Sequence, residues 1–281
     1  MGVDLHIHSQ ASDGTLTVAQ IVEKADRQGL SAISITDHDT VAGIDMAINE
    51  SADLSLRIIP GIELSCVQDK RDVHILGYFI DYHEEELLDN LIHLRSSRAS
   101  RAEDMVNKLR DTGLDISYEE VKKCAHGGAI GRPHIAQVLV KNGQVVSISE
   151  AFNKHIGAGG PSYMPKYVLE VTKVIRLIHD VGGVASVAHP GVSGVSEDFL
   201  LWLKEVGLDA VEVWHTEHTE AQTQQYMELA NKHNLLRTGG SDCHGLGKSR
   251  GYVLGSVEIP DEIIASLEAR SLEIHTLRNK S

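Results

Sequence analysis

Most of the short apolar runs in this chain end on a histidine or a carboxylate, a pattern that constrains the fold more than any single motif. Asp4-Leu5-His6-Ile7-His8 opens the chain, and Asp13 follows closely. Ser31 to Thr36 runs into Asp37-His38-Asp39, and Arg57 to Ile62 delivers Glu63. Gly183 to Ala188 ends in His189-Pro190, Asp209 to Trp214 ends in His215, and Leu235 to Ser241 ends in Asp242-Cys243-His244. In Asp72 to Gly77 the histidine, His74, sits inside the run instead. Successive side chains leave a strand on opposite faces, so residues two apart, such as His6 and His8, present their imidazoles on the same side.

Helical patterns separate these runs. Thr17 is placed to cap a helix through Ile21, Val22 and Ala25, with Gly29 as its stop. Further helices are expected over Val41 to Asn49, Val171 to Val181, Phe199 to Val206, Ala221 to His233 and Asp261 to Arg270. Strand and helix alternation argues for parallel strands with helices outside. An open doubly wound sheet would collect its ligand at one switch point, whereas polar residues crowning nearly every strand suit a barrel, whose active site forms at the strands' carboxyl ends. The expected fold class is therefore α/β, a distorted (β/α)7 TIM-like barrel with a small helical insertion. The barrel is expected over residues 1–81 and 168–281, and the charged, helical stretch 82–167 is expected as an insertion over the active-site mouth.

A length of 281 residues suits one such barrel, and 26 Lys and Arg against 40 Asp and Glu give a net charge of -14. That balance opposes docking on a long nucleic-acid duplex but tolerates a cluster of cations, which can steer a small anion themselves. Three cysteines without CxxC spacing signal neither a disulfide framework nor a thiolate zinc site. A reducing cytoplasm is the expected location, with no membrane partner.

His6, His8, Asp13, His38, Glu63, His74, His189, Asp242 and His244 are too many nitrogen and oxygen ligands for one ion. They predict two or three divalent ions with at least one bridging carboxylate. Imidazole and carboxylate without thiolate suit manganese, iron or zinc. Elsewhere, Arg95, Arg98 and Arg101 share one helical face, either solvated or turned to phosphate. In Gly131-Arg132-Pro133-His134 the proline marks a helix start whose free N–H groups suit an anion.

These motifs, in this order, resemble the PHP (polymerase and histidinol phosphatase) superfamily. The resemblance rests on Asp4 to Ser9 with Ser12-Asp13-Gly14, Ile35 to Asp39, Gly61-Ile62-Glu63, His74, Ala188-His189-Pro190 and Gly240 to His244. It implies one ion held by His6, His8, Glu63 and Asp242, and a second sharing Glu63 with His74 and His189. A third would use Asp13, His38 and His244. Gly131 to His134 and the strand ending in Trp214-His215 look most like the branch that removes a 3′-phosphate from nucleoside 3′,5′-bisphosphates and trims RNA from its 5′ end.

The expected activity is thus metal-dependent hydrolysis of phosphate esters of a small phosphorylated nucleotide or sugar, by attack of water activated between the ions. Arg132, His134, Arg101, His215 and His218 are expected at the substrate, with Arg132 neutralising phosphoryl oxygens and His215 or His134 protonating the leaving group. A ribose cyclic-phosphate diesterase or a histidinol-phosphate phosphatase would use the same chemistry, while a non-catalytic metal-stabilised module would be favoured by degenerate ligands, and the set here is complete. An amidohydrolase acting on a C–N bond fits less well, because no lysine ends a strand.

Overall fold

The computed structural model describes residues 2–69, 71–125, 127–128, 130–165, 169–245 and 253–278. The first strand, β1 (Val3–Ile7), is wholly buried and leads to α1 (Val18–Arg27). Thr17 caps α1 through the N–H of Gln20, whose side chain returns a bond to Thr17, and Gly29 follows with a φ of 71°. Val18, Ile21, Val22 and Ala25 form the buried face of this helix. Then come β2 (Ala32–Ile35), α2 (Ile44–Glu50) and β3 (Arg57–Ile58). Pro60 has no N–H to donate, and the run expected as one strand from Arg57 to Glu63 is broken there, resuming as β4 (Gly61–Gln68).

Next, β5 (Arg71–Tyr78) returns as a hairpin against β4, with Glu63 opposite Leu76 and Ser65 opposite His74. A helical stretch follows: α3 (Glu85–Asp111), α4 (Tyr118–Cys124), α5 (Arg132–Lys141), and α6 (Ile148–Ala151) with a π-helical turn over Phe152–Ile156. Met105, Val106 and Leu109 of α3 pack with Val121, Ile135, Leu139 and Ile156 in an apolar cluster of their own. The boundary expected at 167/168 lies outside the described residues. The chain continues through β6 (Leu169–Glu170), α7 (Val171–Asp180), β7 (Val184–Val187), α8 (Pro190–Ser193), α9 (Glu197–Glu205), β8 (Ala210–His215), α10 (Glu220–His233), β9 (Leu236–Gly240) and α11 (Glu262–Arg278).

The strands do not form the expected single ring. Among the described residues β1, β2 and β3 make one parallel sheet, and β6-β4-β5-β7-β8-β9 make a second. Isolated bridges join Ile7 to Cys243 and His38 to Glu63. Nor are all neighbours parallel, since β5 runs antiparallel to both β4 and β7. The short hairpin between β4 and β5 leaves no room for a crossover helix, and only an antiparallel partner can follow so short a turn. At the junction of the two sheets Gly240 approaches β1 so closely that a Cβ would fall 2.2 Å from that of His6. Helices α7, α9 and α10 bury Val174, Ile178, Leu200, Leu203 and Leu229 on one side, while α11 covers the other with Ile263, Leu267 and Ile274.

Asp209, just before β8, ties these layers together. Its carboxylate accepts from the backbone N–H of Ala185 at 2.9 Å, from Nε2 of His179 at 2.8 Å and from Nε of Arg270 at 2.8 Å. Burial would raise its pKa, but the bond and charge of His179, with the Ala185 and Arg270 contacts, hold it below the ordinary 3.8. A carboxyl lowered in the folded state stabilises above its unfolded pKa and loses that stabilisation as pH falls through the folded one. Asp209→Asn removes the charge and turns an amide donor toward either the Arg270 guanidinium or the Ala185 and His179 donors, and should cost about 2–4 kcal/mol. Denaturant melts at pH 7 and at about pH 3 check this, because the wild-type advantage should shrink at the lower pH.

Candidate metal centre

All nine expected ligands converge where the ends of β1, β7 and β9 meet β4 and β5. His6 and His8 are buried on the same side of the first strand, as their spacing requires. Glu63, 1% exposed, faces five imidazoles. Its Oε2 lies 3.4 Å from Nε2 of His6, 3.2 Å from Nε2 of His8 and 2.9 Å from Nδ1 of His38. Its Oε1 lies 2.8 Å from Nδ1 of His74 and 3.2 Å from Nε2 of His189. Oδ1 of Asp242 is 3.6 Å from His6 Nε2, 3.2 Å from His8 Nε2 and 3.3 Å from His244 Nδ1, and Oδ1 of Asp13 is 3.2 Å from His244 Nε2. The rings lie close, with 4.1 Å between the centroids of His8 and His244 and 4.6 Å between those of His8 and His38.

His189 and Asp242 take left-handed backbone conformations, with φ of 31° and 51°. Residues with a Cβ adopt this region rarely, and its cost of about 1–3 kcal/mol per residue is carried where surrounding structure fixes it. The same holds for Asp39, with a φ of 52°, which follows His38. Asp39 accepts from the N–H of Ser65 at 3.0 Å and from Nε of Arg98 at 2.5 Å, and Arg98 also donates to the Ser65 hydroxyl at 3.0 Å. Asp37 accepts from the N–H of Ser9 at 2.7 Å and from the hydroxyls of Ser9 and Ser12 at 2.6 and 2.5 Å, which fixes the turn that carries His8 and Asp13.

The electrostatics show a site built for cations. Burial would raise the pKa of Glu63, but the charges of His38, His74 and His6 hold it well below the carboxylate range. Asp242 is held low against burial in the same way by His244 and His6. Burial pushes His38 down to about 3, only partly opposed by Glu63. For His8 burial is outweighed by Asp242 and Glu63, which raise it to about 9. Without cations these groups share protons that a metal would displace. Nε2 of His6, Nε2 of His8, Nδ1 of His38 and Oε2 of Glu63 are buried and make no well-directed hydrogen bond, although they face one another within 3.4 Å of Glu63. A shared cation satisfies such an arrangement. Donor atoms close enough to hold one ion occur in His6-His8-Glu63, in His38-Glu63-His74 and in His8-Asp13-His38-His244.

Beside the cluster lies a cavity of about 270 Å³ lined by Ser12, Asp13, His38, Ser65, His74, Arg98, Arg101, Gly131, Arg132, Pro133 and Phe152. Arg132 stacks its guanidinium over Phe152 at 5.4 Å and Tyr163 at 5.7 Å, and it makes no ion pair among the described residues. Arg101 lies over Tyr163 at 5.6 Å and donates to the Met164 carbonyl at 2.8 Å. Burial, followed by the charge of Arg132, lowers Arg101 to about 10.

The remaining expected substrate residues divide. His215 is 4% exposed, accepts the N–H of Glu217 on Nδ1 at 3.1 Å, and turns Nε2 toward Asp242 Oδ2 at 3.6 Å. Its neutral form therefore carries the proton on Nε2. His134 does not line the cavity; its Nδ1 accepts the N–H of Gly131 at 3.0 Å, making it a cap of α5. His218 spends both ring nitrogens on the backbone, with Nδ1 at 2.9 Å from the Val213 carbonyl and Nε2 accepting from Gly191 at 3.0 Å. One residue the sequence reading did not single out lies at the site, Glu212, whose Oε1 is 2.9 Å from Nδ1 of His6; Arg98, expected as one of three arginines on a helical face, turns to Asp39. A lone glutamate in the apolar run Ala210 to Trp214 is the signal that marks Glu212.

The PHP domain model matches residues 4–171. The 5′-3′ exoribonuclease Rnm of Escherichia coli K12 is 34% identical over 250 residues, covering 86% of this chain and 84% of that protein. A 3′,5′-nucleoside bisphosphate phosphatase of Chromobacterium violaceum is 29% identical over 96% of this chain and 98% of its own length. Among solved structures, a putative metal-dependent phosphoesterase from Bifidobacterium adolescentis superposes with a TM-score of 0.88 at 33% identity, covering 96% of each chain. The chain thus belongs to the PHP domain family and is a metal-dependent phosphoesterase, a hydrolase of phosphate esters. No helix among the described residues is long and apolar enough to cross a membrane.

Divalent cations should raise the melting temperature of metal-stripped protein, since a ligand bound only by the folded state at a hundred times its Kd adds about 2.7 kcal/mol. Asp13→Asn should lower the metal content measured by atomic emission while leaving the fold intact. Full metal content in that variant would remove Asp13 from the ligand set.

Proposed function

We propose that the chain is a nucleoside 3′,5′-bisphosphate 3′-phosphatase, able also to trim short RNA from its 5′ end, with two or three ions of manganese, iron or zinc. The observation that carries this reading is that one cavity has both a cluster of groups that could hold metal and, against Phe152, the Arg132 guanidinium, which has no carboxylate partner among the described residues. A substrate with two phosphates matches both ends. The names of the two relatives support it, one a bisphosphate phosphatase and the other a 5′-3′ exoribonuclease.

His6, His8, Glu63 and Asp242 would hold one ion, Glu63 with His74 and His189 a second, and Asp13, His38 and His244 a third. When bound, the ions supply a nucleophile from water near neutral pH and a clamp on the phosphoryl oxygens. Arg132, steered by its aromatic neighbours, binds the second phosphate by charge-assisted contacts, with Arg101 beside it. Nε2–H of His215 donates to the departing oxygen, its direction set by the bond that Nδ1 accepts from Glu217. The helices of 82–167 act as an insertion that carries Arg98, Arg101 and Arg132 over the metal groups, and the small cavity limits how much substrate enters.

Release of inorganic phosphate from adenosine 3′,5′-bisphosphate, run beside a ribose 1,2-cyclic phosphate, tests the substrate class; preference for the cyclic ester would reverse it. Arg132→Ala should lower kcat/KM for the bisphosphate roughly tenfold to a hundredfold, the worth of a charged contact of about 1.5–3 kcal/mol. Its effect on adenosine 3′-monophosphate, which lacks the second phosphate, should be small, and its metal content unchanged. Equal losses on both substrates would take Arg132 away from the second phosphate.

A further inference from the structure

Glu212 lies within β8 with no surface exposure, and the activity proposed above gives it no role. Its neighbours Val211 and Val213 are buried and apolar, where an ionised carboxylate is costly unless both oxygens are occupied. Both are occupied. Oε1 lies 2.9 Å from Nδ1 of His6, and Oε2 accepts the backbone N–H of His189 at 2.5 Å.

A carboxylate only accepts, so the first contact requires a proton on Nδ1 of His6. Nε2 is left with its lone pair, 3.4 Å from Oε2 of Glu63 and 3.6 Å from Oδ1 of Asp242. The second contact grips the backbone of His189 where its φ is 31°, and from there His189 Nε2 reaches within 3.2 Å of Glu63 Oε1. One side chain thereby sets a ring tautomer on β1 and a backbone conformation after β7, in two different sheets. The geometry assigns Glu212 as a positioning residue of the metal centre, one that aims His6 and His189 from behind and so sets the affinity for cations. This assignment rests on the metal-centre reading above and concerns cation binding, not hydrolysis.

Glu212→Gln keeps the shape but exchanges one acceptor for a donor, so it cannot serve both contacts. In one orientation its amide meets the His189 N–H donor to donor. In the other it requires an unprotonated Nδ1 on His6, which moves the proton to Nε2 and blocks that atom. Zinc affinity, measured without substrate by competition against a chelating dye, should fall roughly tenfold to a hundredfold, as for other carboxylates behind a metal-bound histidine. In zinc-loaded protein labelled with 15N-histidine, the hydrogen-bonded Nδ1–H signal of His6 should be lost or displaced.

Asp209→Asn is the control, because this buried carboxylate stands just before the same strand but bonds away from the cluster. It should lower the melting temperature and leave zinc affinity unchanged. Wild-type zinc affinity in E212Q overturns the assignment, and so does an equal loss of affinity in D209N. Should E212Q fail to fold, Glu212→Asp, which keeps the charge but withdraws both oxygens, carries the same expectation and the same criteria. Tight zinc binding by a wild-type chain that releases no phosphate would defeat the proposed activity and leave the role of Glu212 standing.

Discussion

The structure depends on one buried anion. Glu63, in the middle of β4, faces His6, His8, His38, His74 and His189 within 3.4 Å. A carboxylate withdrawn from water is unstable unless compensated, and imidazoles compensate it only by holding protons, which their own burial resists. The opposed shifts of His8, raised to about 9, and His38, lowered to about 3, show that contest unresolved within one cluster. Cations resolve it, because a metal accepts the lone pairs of neutral imidazole and the charge of the carboxylate together. The site is thus better matched to ions than to any protonation state of its own groups.

Holding so many donors on one point imposes demands on the backbone. His189, Asp242 and Asp39 all take left-handed conformations, and His189 and Asp39 are each fixed by a contact to another element. Glu212 holds His189, the Nδ1 of His244 lies 2.9 Å from the Asp242 carbonyl, and Arg98 of α3 closes on Asp39. The last contact makes the helical stretch more than a cover, since α3 reaches through Asp39 to the N–H of Ser65, two residues beyond Glu63.

Much of this was legible in the sequence because metal ligands must be polar and strand ends must be near one another. His6, His38, Glu63, His189 and Asp242 each announce themselves as a polar residue interrupting or ending an apolar run. His74 sat inside its run for a reason that only topology reveals. Its strand runs antiparallel to β4 and β7, so the amino end of β5 lies beside their carboxyl ends, and the N–H of Ala188 donates to the His74 carbonyl at 3.0 Å. The same hairpin makes the second sheet mixed where parallel strands were expected throughout. Spacing says nothing about which ring nitrogen is already engaged: Nδ1 of His134 and both ring nitrogens of His218 bond to the backbone. Glu212 was missed, being a single charge in a strand that ends on a more conspicuous histidine.

The charge balance of the whole chain and that of the cavity run in opposite directions, and the contrast bears on what can enter. A net charge of -14 repels long polyanions at a distance, while Arg98, Arg101 and Arg132 crowd a cavity of about 270 Å³. Tyr163 and Phe152 spend their ring faces on those guanidiniums, so they hold cations in place and leave stacking on a base to other groups. On the reading proposed above, this end of the cavity serves to bind phosphate. In that proposal a short ligand with one phosphate at the metal groups and another at Arg132 would satisfy both attractions while exposing few charges to the acidic surface, whereas each further phosphate outside the cavity would meet repulsion from the net charge of the chain.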